Sequence, residues 1–194
     1  MPRKKTEAKR LAILDAATEV FSRREFDEVL TDDVASAAGV GKGTLYRYFP
    51  TKDDLYFQIL VRGFDELDAV LATPRPAAEP VRERLAWVAR EVIRVFRGRK
   101  PFTLLPQVSE RRLCARRREL DRRRDALIRF VEETVAAGVA RGEIRPLDPR
   151  TGAELFIGMV RAATYRAGGA ARSAAFEREL MAVFLDGVRH KEVP

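Results

Sequence analysis

Residues 31–55, TDDVASAAGVGKGTLYRYFPTKDDL, restrict the fold more than any other stretch of this chain. Two short helical patterns meet at a tight turn containing Gly39 and Val40, and a third helix opens almost at once behind them. In the first pattern Val34, Ala35 and Ala38 make a small apolar face. Thr31 ahead of Asp32 and Asp33 reads as a hydroxyl cap followed by acids that suit the positive end of the helix dipole. Gly39 can enter the left-handed region and end that helix, while Val40 plugs the angle between the two. The second pattern covers 42–48. With successive residues turned by about 100°, Leu45 and Phe49 share one side, and Gly43, Thr44, Tyr46 and Arg47 fan out on the other. An ordinary surface helix explains the apolar side. It does not explain an outer side of two small residues, a tyrosine and an arginine at a helix start. The arrangement fits a helix-turn-helix, whose second helix enters a DNA major groove.

The remaining chain is helical throughout. Ile13, Ala17, Val20 and Phe21 recur at three-four spacing over 6–23. Thr51-Lys52-Asp53-Asp54 has the form of a capping box with Asp in the usual place of Glu, and opens a helix over 52–71 carrying Leu55, Ile59, Leu60, Phe64 and Leu67. The proline-rich stretch 73–80 breaks helicity, and Leu85, Val88, Val92 and Phe96 then mark a helix over 81–96. A short helix interrupted near Pro106 is expected over 101–114, followed by a long one to 141 with Leu120, Leu127, Phe130, Val131, Val135 and Val139 inward. After a turn at 142–146, Pro149 opens the first of two final helices, over 149–167 and 173–190, joined through Gly168-Gly169. There is no strand pattern, internal repeat or low-complexity segment. The expected fold is all-α, about nine helices, with a helix-turn-helix domain at 1–50 and a helical domain at 51–194.

Composition bounds the function classes. With 46% hydrophobic and 34% charged residues among 194, the chain reads as a soluble protein with a real core. No apolar run approaches the roughly 18 residues that cross a bilayer. The basic start MPRKKTEAKR lacks the apolar region of a signal peptide. A single cysteine, Cys114, excludes an internal disulfide and a Cys-rich zinc site, and suits the cytoplasm. The lone histidine, His190, stands far from Cys114, and there is no phosphate loop or Gly-rich nucleotide fingerprint. No catalytic pair, metal set or cofactor site is expected. Of the net charge of +8, residues 1–50 hold only +1, from nine Lys/Arg and eight Asp/Glu. One-sided charge in that part is confined to Arg3, Lys4, Lys5, Lys9 and Arg10, opposed by Glu7: either a flexible arm that follows phosphates or a solvated tail. The arginine-rich run at 110–124, interspersed with Glu119 and Asp121, reads as a solvated helix face, with an acidic ligand or partner as the alternative.

The groups Ala38-Gly39-Val40, Gly43-Thr44-Leu45-Tyr46, Tyr48-Phe49 and Lys52-Asp53-Asp54-Leu55, with Ile13-Leu14-Asp15-Ala16-Ala17 and Phe21 ahead of them, resemble the DNA-binding domain of the TetR/AcrR family of bacterial regulators. The motif covers about a quarter of the chain. The chain departs from the family's common pattern at Glu25 (Gly there), Leu30 (Thr) and Gly41 (Ser). The resemblance implies that Thr31, Tyr46, Tyr48 and Lys52 hold phosphates, while Lys42, Gly43, Thr44 and Arg47 face base edges. It also implies a repressor released from its operator by a small-molecule effector bound in the larger domain; the alternative is a DNA-binding protein of the same fold with no effector. Candidate pocket walls are Phe64, Trp87, Phe102, Leu105, Phe156, Met159 and Tyr165, although a helical stripe of aromatics is more often plain core than pocket.

One motif buries little area, so useful affinity calls for a pair. Phe156, Ile157, Val160 and Thr164, with Ala153 and Ala163, line one side of the first of the final two helices; Leu180, Val183 and Phe184, with Phe176 and Gly187, line the second. These stripes are expected to form a four-helix homodimer interface, the alternative being packing within one protomer. A two-fold dimer reads a palindromic double-stranded operator with half-sites about one helical turn apart.

Overall fold

The structure, a computed structural model, describes residues 2–24, 26–96, 110–166 and 170–188; within these spans it describes no side chains at 2–5, 110–117, 165–166, 170–174, 186 and 188. Among the described residues all regular structure is helical: α1 (Pro2–Arg23), a 3-10 turn (Phe26–Glu28), α2 (Thr31–Ala37), α3 (Lys42–Tyr48), α4 (Lys52–Leu71), α5 (Val81–Phe96), α6 (Glu110–Ala140), α7 (Pro149–Arg166) and α8 (Ala170–Val188). None of these helices is long and apolar enough to cross a membrane.

Several boundaries differ from the expected ones. α1 begins at Pro2, so Arg3, Lys4 and Lys5 belong to its first turn rather than to a separate arm; proline suits that place because its missing N–H has no intrahelical partner to lose. The long helix begins at Glu110 and not after Cys114, and the expected short helix falls, over 101–109, outside the described residues. The last helix starts at Ala170. Thr31 does not cap α2. Leu30 does, extended at φ −89° and ψ 141°, its carbonyl accepting from the Asp33 and Val34 N–H groups and its side chain supplying no cap.

Other helix ends follow their local chemistry. α2 stops at Gly39, which takes φ +63°. Its N–H reaches the Ser36 carbonyl, and the next N–H, of Val40, reaches back to Ala35 at 3.0 Å. This pair of bonds satisfies carbonyls that the helix would otherwise leave open. Gly142, at φ +73°, ends α6 in the same way. At α4 the capping box forms: Asp54 N–H donates to Thr51 Oγ1 at 3.0 Å, and Thr51 N–H donates to Asp54 Oδ2 at 3.0 Å. Asp148 caps α7 through the Thr151 N–H at 2.8 Å, and the hydrogen bonds from Thr151 hold its carboxyl below the usual range.

A single apolar cluster runs from end to end, and α4 carries it across. Near its start Tyr56 meets Phe21 edge-on at 5.2 Å and Phe26 at 4.9 Å. Two turns later Phe64 meets Phe96 of α5 at 5.3 Å. Polar bonds bracket the same helix on both sides: Arg10 to Gln58 (2.7 Å) and Arg62 to Asp15 (2.6 Å) toward α1, Arg94 to Glu66 (3.0 Å) toward α5, and Arg123 to Asp65 (2.6 Å) toward α6.

Candidate nucleic-acid interface

The seating of α3 follows from Leu45 within it and Phe49 at its C-terminal cap. Leu45 and Phe49, each 1% exposed, anchor it on the core. With that side fixed, Lys42, Gly43, Tyr46 and Arg47 stand exposed, and Thr44 and Tyr48 half-exposed. A Cβ placed on Gly43, or on Gly41 just before the helix, would meet nothing within 4 Å. Packing inside the chain therefore makes no demand for glycine at either place.

The polar groups around α3 are connected to its neighbours. Tyr46 Oη and Thr31 Oγ1 share a hydrogen bond of 2.9 Å, which ties the outer face of α3 to the start of α2. The Thr31 hydroxyl is thus engaged with α3 rather than with its own helix end. Arg47 lies over the Tyr48 ring, 5.5 Å from its centroid, with no carboxylate partner among the described residues. Lys42 Nζ sits 2.9 Å from Asp32 Oδ1, and the hydrogen bond to Asp32 raises its pKa above the ordinary lysine value. Asp33, the next acid, holds Arg24 at 2.6 Å. An open cleft of about 360 Å³ between α1 and α2 is lined by Glu19, Arg23, Arg24 and Asp33, and its arginines are already paired within it, Arg23 with Glu19.

Lys52 is turned inward. Its ammonium donates to the carbonyls of Phe26 (2.7 Å) and Val29 (3.0 Å) and lies 4.4 Å from the centroid of the Phe26 ring. It braces the link between α1 and α2 against the start of α4. Neither this brace nor the Asp32–Lys42 pair is apparent from the sequence, since the partners are backbone carbonyls and an acid on another helix.

The expected pocket and pairing residues occupy different surroundings. Phe64 and Phe156 are fully buried, each edge-on to another phenylalanine. Trp87 is half-buried between the Arg75 guanidinium (4.5 Å) and Phe130 (6.3 Å), and Met159 is half-buried. Phe102 and Leu105, and the side chain of Tyr165, lie outside the described residues. Of the expected pairing stripe, Phe156, Ile157, Val160, Thr164, Leu180 and Phe184 are buried within the protomer. Phe176 is half-buried, while Gly187 and Val183, the latter 63% exposed, are left outward, joined by Leu155 at 60%. The apolar stripes of α7 and α8 close on each other and on α5, and the free face is the one beside them.

Comparison with known proteins covers both parts of the chain. Residues 13–59 match the family model for bacterial regulatory proteins of the tetR family, and residues 78–188 match the tetracyclin repressor-like C-terminal domain. The chain is 30% identical over 158 residues to YfiR of Bacillus subtilis (strain 168), named an uncharacterized HTH-type transcriptional regulator, covering 76% of this chain and 74% of that protein. Its fold is similar to that of the ketosteroid transcriptional regulator KstR2 of Mycobacterium tuberculosis, with a TM-score of 0.75 at 20% identity over 94% and 95% of the two chains. It is also similar to AibR, solved with isovaleryl coenzyme A and operator DNA, with a TM-score of 0.62 at 20% identity over 90% and 97%.

Proposed function

The chain belongs to the tetR family of bacterial regulatory proteins, and from that premise we propose that it is a homodimeric repressor whose α3 helices read a palindromic operator. The observation that carries this reading is the outward face of α3: anchored by Leu45 and Phe49, open at Gly43, with the Arg47 guanidinium unclaimed by any described carboxylate.

The roles proposed for individual residues are those the family resemblance implies at these positions. Lys42, Gly43, Thr44 and Arg47 face base edges; Gly43 lets the backbone approach, and Arg47 donates twice to a guanine. Thr31, Tyr46 and Tyr48 hold phosphates, which set register without carrying sequence information. Lys52 instead acts as a positioning residue, its ammonium committed to the Phe26 and Val29 carbonyls. The reading unit at 1–50 is joined to the regulatory part at 51–194 by the α4 helix, which opens the second part and whose two halves pack on different partners. Pairing uses the free face of α7 and α8 at Leu155 and Val183. AibR was solved with an acyl-coenzyme A, and a small molecule of the acyl thioester class bound by the α5–α8 part of this chain would shift α4 and release DNA, a coupling of about 1–3 kcal/mol.

Selecting duplexes from a random pool with the wild-type protein, then measuring Arg47→Ala on the recovered duplex and on versions altered at each position, tests the reading. Arg47→Ala should erase about 1–3 kcal/mol of discrimination at one base pair per half-site and leave the other positions unchanged. Equal losses on every duplex would overturn the assignment of Arg47.

A further inference from the structure

Three of the four charged side chains of the α2–α3 unit are paired within the protein. Residues 31–49 carry two acids, Asp32 and Asp33, and two bases, Lys42 and Arg47, and of the four only Arg47 has no ion-pair partner among the described residues. Asp33 is committed to Arg24 of the preceding segment at 2.6 Å. Asp32 is committed to Lys42, at 2.9 Å from Oδ1 and 3.0 Å from Oδ2. Both side chains of this second pair are more than half exposed, at 61% and 58%, so no packing forces them together and the contact is free to exchange.

An exposed pair of this kind is worth about 0–1 kcal/mol. A stronger acceptor can therefore displace Asp32, but a loosely placed phosphate gains little by doing so. The carboxylate it must displace stays nearby and repels it. A base edge in the major groove is different: guanine O6 and N7 offer two acceptors at a fixed place, away from the phosphates. The ammonium is then held by the duplex, and Asp32 loses its partner only when that place is correctly filled.

We propose that Asp32 is a specificity-determining residue: paired with Lys42, it withholds that ammonium from the phosphates of non-cognate DNA and yields it only to a base-edge acceptor. This rests on the reading of α3 as the DNA-reading helix. Asp32 touches no base itself; it acts through Lys42 and through its own negative charge.

The test uses the full chain on a mixed-sequence duplex and on the duplex that the wild type enriches from a random pool, each over a series of salt concentrations. Asp32→Asn should bind the mixed-sequence duplex several-fold more tightly and steepen its log–log salt dependence by about 0.9 per protomer, one more phosphate neutralised by each Lys42. Affinity for the enriched duplex should rise less, so the preference ratio falls. Asp32→Glu should retain the wild-type ratio, and Lys42→Gln added to Asp32→Asn should remove the extra salt dependence. An Asp32→Asn protein with wild-type slope and ratio would overturn the proposal alone, as would equal weakening on both duplexes with a lowered melting temperature. A wild-type protein that enriches no sequence would overturn the reading of α3 and the proposal with it.

Discussion

Replacing Lys52 by methionine separates two roles that a lysine at this place could have. In the structure its ammonium donates to the Phe26 and Val29 carbonyls at 2.7 and 3.0 Å and lies 4.4 Å over the Phe26 ring. Val29 is fully buried, so water cannot readily replace the lost donor. Hydrogen bonds to a charged group contribute about 1.5–3 kcal/mol each, and the ring contact about 0.5–1 kcal/mol. Methionine keeps most of the aliphatic stem packing and removes the cost of desolvating the ammonium, which leaves a net destabilisation of about 2–4 kcal/mol. For a chain of this size each kcal/mol lowers the melting temperature by about 2–4 °C, so the drop should be about 4–16 °C. Melting is followed by circular dichroism at one fixed protomer concentration, because association makes the midpoint depend on concentration. DNA binding is measured alongside over several salt concentrations, well below the melting range. The bracing role predicts the lower midpoint with an unchanged salt slope. An unchanged midpoint, with a slope flatter by about one per protomer, would refute it and make Lys52 a phosphate holder.

Three other outcomes follow from the same structure. Gly39→Ala should cost about 1–2 kcal/mol in denaturant unfolding, from the left-handed backbone at φ +63° alone, since a Cβ there meets no neighbour within 4 Å; wild-type stability would show that the turn relaxes freely. Leu155→Glu, at a side chain 60% exposed, should leave the helical circular dichroism intact while converting dimers to monomers in sedimentation; a stable dimer would move the pairing face elsewhere. The hydrogen bond from Arg75 lowers the pKa of the Glu79 carboxyl. Its stabilisation is therefore present above the ordinary carboxylate value and lost as pH falls through the lower folded value. Glu79→Gln should melt below the wild type at neutral pH, with the gap closing in acid; a gap independent of pH would deny the carboxylate that part.

Local rules make much of this protein legible in its sequence. Leu45 and Phe49 on one side of a seven-residue helix dictate which side chains face out, because a helix turns its residues through fixed angles. Gly39 and the Thr51–Asp54 box mark where helices stop and start through bonds that close within a few residues. What lay beyond local rules was the identity of each partner. The stripes of α7 and α8 are apolar on either reading, and periodicity says that Phe156, Val160, Leu180 and Phe184 must be covered without saying by what. The fold covers them with one another and with the rest of the protomer, which leaves Leu155 and Val183 outward. Thr31 is one residue too late to cap α2, and its hydroxyl finds Tyr46 across the turn. Lys52 reaches carbonyls 23 and 26 residues earlier in the chain. Torsional preference and hydrophobic period act over one or two turns and are written in neighbouring residues. The choice among possible partners for an apolar stripe, a hydroxyl or an ammonium is settled only when all the helices compete for the same space.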